Sequence, residues 1–273
     1  MSPTTIVFWT ASTVAFLLGA CIGSFLNVVV YRIPAGKSLL FPPSHCPQCN
    51  HRLGPTENVP IVGWLWLRGR CRHCHTAIAP RYPLVETATA LLFWLVFAIY
   101  QFSGYTLSYW VLVSWLLALA LIDWDTMTLP GSLTRSGLIL GLIFQTCFGW
   151  FYLGTLSSAI QGFMVGCVGA VVGIWLLELP GKGVSLWLGK EALGSGDPHL
   201  AALLGAWLGW INLLLAIFLA ALTGTIAVAI AQLLGRLSPQ QKFPFGPYLA
   251  LGGALSALFG PQVWTLYFRW LGL

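Results

Sequence analysis

Charge is scarce in this chain: only 7% of its 273 residues are Asp, Glu, Lys or Arg, whereas 58% are hydrophobic. That poverty excludes a soluble globular domain, because a chain of this size cannot bury such long apolar runs and lipid must cover most of it. Acidic residues are the scarcest, seven in all, and the aspartates are Asp123, Asp125 and Asp197. No Lys or Arg precedes the first apolar run, so the basic n-region of a secretory signal peptide is missing and the run reads as a retained span. Internal repeats and low-complexity tracts are absent too. The net charge of +6 gives no case for a nucleic-acid partner, because the basic residues lie mostly beside membrane ends. Attraction to anionic lipid accounts for them.

A helix needs roughly 20 apolar residues to cross the hydrocarbon core. Windows of that kind cover 6–31, 84–102, 107–122, 138–153, 159–177 and 248–268, with a short Gly/Thr/Ser turn over 154–158. The run over 200–234 would exceed about 50 Å as one helix and is expected to fold back near 210–212. The expectation is an all-α polytopic membrane protein of about eight transmembrane helices. Its parts would be a first helix (1–31), a polar insertion (32–83) and a membrane-embedded domain (84–273). With the amino terminus outside, all but one of the 13 basic residues, from Arg32 to Lys242, fall on one side, and only Arg269 falls on the other. Positive charge marks the cytoplasmic face, so the insertion is expected in the cytoplasm and both termini outside.

That insertion carries Cys46-Pro-Gln-Cys49 and Cys71-Arg-His-Cys74, two C-x-x-C pairs at a spacing close to that of a zinc ribbon. Each pair aims two thiolates at one point, and four complete the tetrahedron preferred by structural zinc, leaving no open position for catalysis. A disulfide pair is the competing reading, disfavoured in a reducing cytoplasm. His45, His51, His73 and His75 are alternative ligands. Cys21, Cys147 and Cys167 lie in apolar spans and read as small buried residues. An insertion of about 50 residues has little core of its own, so metal would supply folding energy directly.

Asp123 and Asp125 stand at the cytoplasmic end of the third span, and Asp197 closes Gly194-Ser-Gly-Asp197 just before the sixth. A carboxylate near the hydrocarbon boundary is costly and usually functional. Two carboxyls brought together from different helices share a proton, which is the arrangement of an aspartic protease. Two positions apart on a helix, Asp123 and Asp125 point to nearly opposite sides, so only one can face Asp197. The glycines at 194 and 196 would let an extended substrate approach closely. Intramembrane carboxylates also serve proton relays and ion sites, so a transporter or ion channel with a regulatory zinc domain is the alternative. A third reading is an assembly module whose zinc loop docks a secretion partner.

The chain resembles the type IV prepilin peptidases, the bifunctional leader peptidase and N-methyltransferase of type IV pilus, type II secretion and related systems. The resemblance covers nearly the whole chain. It runs through Gly23-Ser-Phe-Leu-Asn-Val-Val-Val-Tyr-Arg-Ile-Pro34, the paired C-x-x-C motifs, Glu57-Asn-Val-Pro60, Leu67-Arg-Gly-Arg-Cys71 and Arg81-Tyr-Pro-Leu-Val-Glu86. The Asp123 segment, Gly-Ser-Gly-Asp197 and Phe245-Gly-Pro-Tyr-Leu-Ala250 complete it. It implies cleavage of prepilins and pseudopilins after the leader's terminal glycine, on the cytoplasmic face of a bacterial inner membrane. The new amino terminus is then methylated from S-adenosylmethionine. The family's two catalytic aspartates fall on Asp123 and Asp197, with Asp125 an orienting or structural neighbour. Two departures are Gly131, where many members have aspartate, and His199, where many have lysine. With no Gly-rich dinucleotide-type turn, and an insertion too short for a soluble methyltransferase fold, the methyl donor's site is expected to involve membrane helix ends. Glu57, Asn58, Arg81 and Glu86 are polar residues near it, or structural groups that tie the insertion to the membrane. Phe245-Gly-Pro-Tyr either lines the peptide path or simply starts a helix.

Overall fold

The computed structural model describes residues 2–189, 194–236, 238 and 243–272. Lys190 and Lys242, both counted in the charge asymmetry, lie outside the described residues. The regular elements are all helical: α1 (Pro3–Arg32), α2 (Val62–Trp66), α3 (Arg81–Tyr100), α4 (Gly104–Thr126), α5 (Gly131–Leu153), α6 (Leu156–Leu188), α7 (Asp197–Leu233) and α8 (Gly246–Trp270). Among the described residues 6 helices are long and apolar enough to cross a membrane: α1, α3, α4, α6, α7 and α8. The expected all-helical, polytopic architecture is therefore present. Two features relate this number to the expected eight. Helix α5, 23 residues long, corresponds to the expected span over 138–153 and is not among the six, and α7 is two helices joined at a break.

The chain forms two compact units, Met1–Ser114 and Trp115–Leu273. In the first, α1 and α3 approach closely because Gly19 and Gly23 present no side chain. A Cβ at either would lie 2.7 Å from the Cα of Ala90 or of Glu86 respectively. Small residues four apart are the usual device for close helix packing in lipid, where no hydrophobic force draws helices together. Helix α3 is fixed against the start of α4 by the Trp110 indole, which stacks on Phe93 at 5.1 Å and donates Nε1–H to the Phe93 carbonyl at 2.9 Å.

The second unit is built around the start of α7. Leu200 to Ala206 are buried almost without exception, with Trp207 and Leu208 little more exposed, so this stretch faces protein on all sides. Gly169 of α6 meets Gly205, and Gly173 meets Ala201, at backbone contact. The run then breaks at Gly209, whose φ of 72° and ψ of 170° are open only to glycine. Contacts show the reversal. Gly246 of α8 touches Asp123, Tyr248 lies beside Gly224, and Gly260 lies beside Asn212. Residues 197–208 thus lead from the carboxyl end to the break, and residues 210–233 return. The first limb has about 12 residues, roughly 18 Å, too short for the hydrocarbon core and tolerable because protein surrounds it. Just before the break the Trp207 carbonyl accepts from the Gln145 amide at 2.9 Å, and the Trp207 indole donates to the Gly137 carbonyl of α5 at 2.8 Å. Asn212 accepts from Ser256 Oγ on its carbonyl at 2.7 Å and from Trp264 Nε1 on its side chain at 3.1 Å. The fold-back expected near 210–212 is in place, one residue earlier.

The turn between α5 and α6 follows from its residues: Gly154 takes the left-handed cap (φ 68°), and Thr155 accepts the Ser158 N–H at 3.2 Å as the next N-cap. Helix α6 runs past its expected end near Leu177 to Leu188, because Glu178 is paired one turn on with Lys182 at 2.5 Å and does not interrupt it. One reading needs correction: Cys21 and Cys147 are exposed, and Cys167 is half-buried, so none of the three is a core residue. On a membrane helix the outward face is itself apolar, and a thiol is tolerated there.

Candidate active site and metal centre

In the loop of the first unit the two C-x-x-C segments fold into matching knuckles. The Cys46 N–H donates to the His51 carbonyl and the Asn50 N–H to the Cys46 carbonyl, both at 2.9 Å. Twenty-five residues on, the Cys71 N–H donates to the Thr76 carbonyl at 2.9 Å and the His75 N–H to the Cys71 carbonyl at 3.0 Å. Asn50 and His75, each four residues after the first cysteine of its knuckle, both have φ of 55°, and single bridges His45–Arg52 and Arg70–Ala77 close the two turns. The result gathers Cys46, Cys49, Cys71 and Cys74 with all four Sγ atoms within 4.8 Å of one another. Cys46–Cys74 and Cys49–Cys71 stand at 3.7 and 3.9 Å. Four thiolates about 2.3 Å from a zinc ion would be about 3.8 Å apart, so the set fits tetrahedral zinc. The Thr76 side chain and backbone draw the Cys74 thiol down to about 6. A backbone contact with His51 lowers the Cys49 thiol, but desolvation and the neighbouring thiols outweigh it and push it up to about 11. Such unequal thiols share protons until a cation replaces them. The histidines are elsewhere: His45 Nδ1 is 2.9 Å from the Pro43 carbonyl, and the rings of His51 and His73 pack on each other at 4.3 Å.

The polar residues around this loop have structural partners. Glu86 of α3, 8% exposed, accepts the Ile61 N–H at 2.6 Å, and Asn27 of α1 donates to the Tyr82 carbonyl at 3.2 Å. Ile61 has φ of 62°, a strained state for a β-branched residue that the Glu86 carboxyl helps to hold. Glu57 accepts the Gly54 N–H at 2.7 Å, and the buried Arg32 guanidinium donates to the carbonyls of Ser38, Leu39 and Pro42. Glu86 thus ties the loop to α3 and Asn27 joins α1 to the first turn of α3, whereas Glu57 acts within the loop.

In the second unit Asp123 and Asp197 are each 5% exposed. Asp123 lies in the last turn of α4, where the next αL residue is Met127 (φ 51°), and Asp197 is the first residue of α7. Asp123 thus stands at the end of α4 and Asp197 at the start of α7. Asp125, two residues on, is exposed. The loop after α4 meets the turn before α7, since a Cβ at Gly196 would lie 2.7 Å from that of Leu129. A Cβ at Gly194 would lie 3.0 Å from Asp197 Oδ2. Both glycines therefore make room for the protein's own residues at the entrance to α7, in the turn that leads into the helix. His199 is exposed, its Nδ1 3.1 Å from the Ser195 carbonyl, and Gly131 opens α5.

A third segment completes the site, in a role that the sequence alone does not disclose. Gly246 is the first residue of α8, Pro247 follows in the first turn, and the Gly246 N–H donates to Asp123 Oδ2 at 3.0 Å. The first N–H groups of a helix have no partner within it, so Asp123 caps α8. A Cβ at position 246 would fall 2.6 Å from the same oxygen, which requires glycine. The signal was the Gly-Pro pair opening an apolar run: proline is favoured in a first turn because it has no N–H to leave unpaired. Of the two roles expected for Phe245-Gly-Pro-Tyr, helix initiation is present, with the added contact to a carboxyl. The arrangement places two buried carboxyls at the amino ends of two helices, one oxygen held by a backbone donor. Chemically, this can accept a proton from water and donate one to a carbonyl.

The chain is similar to known proteins along most of its length. The Bacterial Peptidase A24 N-terminal domain matches residues 17–100 and the Type IV leader peptidase family matches residues 110–229. The chain is 39% identical to a prepilin leader peptidase/N-methyltransferase of Aeromonas salmonicida (strain A449), over 95% of this chain and 94% of the relative. It is 39% identical to the protein of that name in Pseudomonas aeruginosa, over 94% and 93%, and 38% identical to that of Pectobacterium carotovorum subsp. carotovorum, over 89% and 91%. No solved structure matches significantly.

Proposed function

The chain belongs to the type IV leader peptidase family, and from that premise we propose that it cuts prepilin and pseudopilin leaders after their terminal glycine and methylates the new amino terminus. The observation that carries the peptidase half is that Asp123 and Asp197, both buried, stand where the end of α4 and the loop after it meet the turn before α7. The pair holds one proton. The ionised member takes a proton from water as the water oxygen attacks the scissile carbonyl, while the protonated member hydrogen-bonds the carbonyl oxygen. Collapse breaks the C–N bond, and the leaving amine receives a proton. Gly246 N–H fixes Oδ2 of Asp123, leaving the other oxygen for water. Asp125 stays outside this exchange, exposed where Asp123 is buried.

The domain assignment follows: a first helix, a four-cysteine zinc insertion over 32–83 and a membrane-embedded peptidase domain. Zinc held by Cys46, Cys49, Cys71 and Cys74 is structural, since four protein ligands fill its coordination. S-adenosylmethionine supplies an electrophilic methyl carbon for the freed amine. The enzyme lies in the bacterial inner membrane with loop and carboxyls on the cytoplasmic side, where the basic leader remains while the pilin helix lies in lipid. A membrane-reconstituted enzyme incubated with prepilin and S-adenosylmethionine tests this by mass spectrometry. The product is expected to lack the leader and to carry one added methyl group. An intact prepilin mass would overturn the peptidase reading, and a cleaved but unmethylated product the methyltransferase reading.

A further inference from the structure

The short helix α2 has two unlike faces. Trp64 donates its indole N–H to the Ile78 carbonyl at 3.1 Å, and a Cβ at Gly69 would lie 2.8 Å from the Trp64 ring, so this side chain fastens α2 to the rest of the loop. Gly63 is pressed on the Glu57 carbonyl, which a Cβ there would meet at 2.6 Å. Val62, Leu65 and Trp66, at i, i+3 and i+4, share the other face and are 56%, 61% and 84% exposed. Three apolar side chains on one helical stripe, uncovered by the protein, mark a surface that meets something apolar. We propose that this face rests in the lipid of the membrane that α1 and α3 cross, making α2 a short interfacial helix.

Glu86 sets the depth of α2. Its carboxyl accepts the N–H of Ile61, the N-cap residue of α2, at 2.6 Å. Glu86 follows Arg81, the first residue of α3, by about 7.5 Å along the axis, and helical side chains lean back toward the amino end. Helix α2 therefore begins at the level of the first turns of α3, where that apolar helix leaves the polar side and enters the hydrocarbon. With five residues it is itself only about 7.5 Å long, so its exposed face stays near that level. Tryptophan is favoured there, because the headgroup layer solvates the indole N–H while the ring meets acyl chains.

The charge around α2 fits anionic headgroups. Glu57 is the only acid between residues 32 and 83, and its side chain is 6% exposed, with one oxygen on the Gly54 N–H at 2.7 Å. Lys37, Arg52, Arg68, Arg70 and Arg72 are exposed, so the loop presents charge of one sign. Arg68 stands at the carboxyl end of α2, its N–H donating to the Leu65 carbonyl at 3.1 Å, beside the apolar face. A soluble acidic protein would match this charge, but neither the apolar stripe nor its depth. Lying between Cys49 and Cys71 in the chain, α2 then holds the segment that joins the two knuckles at the membrane surface.

A nitroxide carried on a ketone-bearing residue in place of Val62, Leu65 or Trp66 leaves the cysteines untouched and tests this in the full-length protein. The protein is reconstituted in vesicles of phosphatidylethanolamine and phosphatidylglycerol, and each labelled form is required to elute from size exclusion as the unlabelled one does. Collisions of the label with oxygen, which partitions into lipid, are compared with collisions with a nickel chelate that stays in water. A label in place of Leu91, exposed on α3, supplies the lipid reference. Oxygen is expected to dominate at all three positions, as at Leu91. Dominance of the nickel chelate would overturn the proposal, and so would protection from both reagents, which would mean that protein covers the face. Exchanging phosphatidylglycerol for phosphatidylcholine, or Arg68→Ala, is expected to shift the label at position 66 toward the nickel chelate. A label unmoved by both changes would overturn the contact with anionic headgroups.

Discussion

The four thiols of the loop and the two carboxyls of the second unit are gathered by opposite means. Each pair of cysteines is brought together by a turn of a few residues, repeated with the same hydrogen bonds 25 positions later, so the metal site is nearly complete within its local sequence. Asp123 and Asp197 are 74 residues apart, and the donor that holds Asp123 comes from Gly246, 123 positions away. Such a site exists only once α4, α7 and α8 have packed. The first design tolerates a small, weakly packed loop because a cation can supply its cohesion. The second needs rigid helices in contact, which the glycines at 169, 173, 205 and 246 permit.

If this contrast is right, the carboxyl site should be broken by changes that add only a methyl group far away in sequence. Gly246→Ala places a Cβ on Asp123 Oδ2 and is expected to lower leader cleavage roughly 100-fold or more, a loss comparable with misplacing a catalytic group by about 1 Å. A cleavage assay on folded variant protein checks it. The metal site should instead fail through its ligands: Cys71→Ser is expected to drop bound zinc from about one equivalent towards none and to open the loop to limited proteolysis. Because thiolates, not thiols, bind metal, zinc retention should also fall as pH is lowered, measured by chelator competition. Gly209→Ala forces an L residue to φ of 72° and is expected to cost about 1–3 kcal/mol of stability, read as a lowered Tm, with less effect on zinc content. The smallest effect is expected from Asp125→Asn, whose exposed carboxyl should change cleavage by less than about threefold, within the range of ordinary surface substitutions.

The same contrast explains what could be read from the sequence. Cys-x-x-Cys pairs are legible because spacing alone fixes their geometry, and the aspartates because acids are so rare in this chain. The fold-back in α7 was legible from length, since no bilayer accommodates so long an apolar helix, yet its position depended on Gly209, one of 30 glycines with nothing local to distinguish it. The Gly246 donor was hidden for a deeper reason: a backbone N–H is carried by nearly every residue, and only the packing of α8 against α4 gives this one a carboxyl. That Gly194 and Gly196 pack against Asp197 and Leu129 was equally hidden, because those contacts exist only once the loop after α4 meets the turn before α7. The outward cysteines were misread because in lipid an apolar position need not be a buried one.

The central claim is that Asp123 and Asp197 act as one unit. Cleavage rates of the wild-type protein, Asp123→Asn, Asp197→Asn and the double variant, with each protein's folding verified, test it most directly. The account predicts that each single change lowers the rate by roughly 10³-fold or more and that the double variant is no slower than the singles, as for catalytic groups that work only together. Substantial cleavage by either single variant, or losses that multiply in the double, would contradict it.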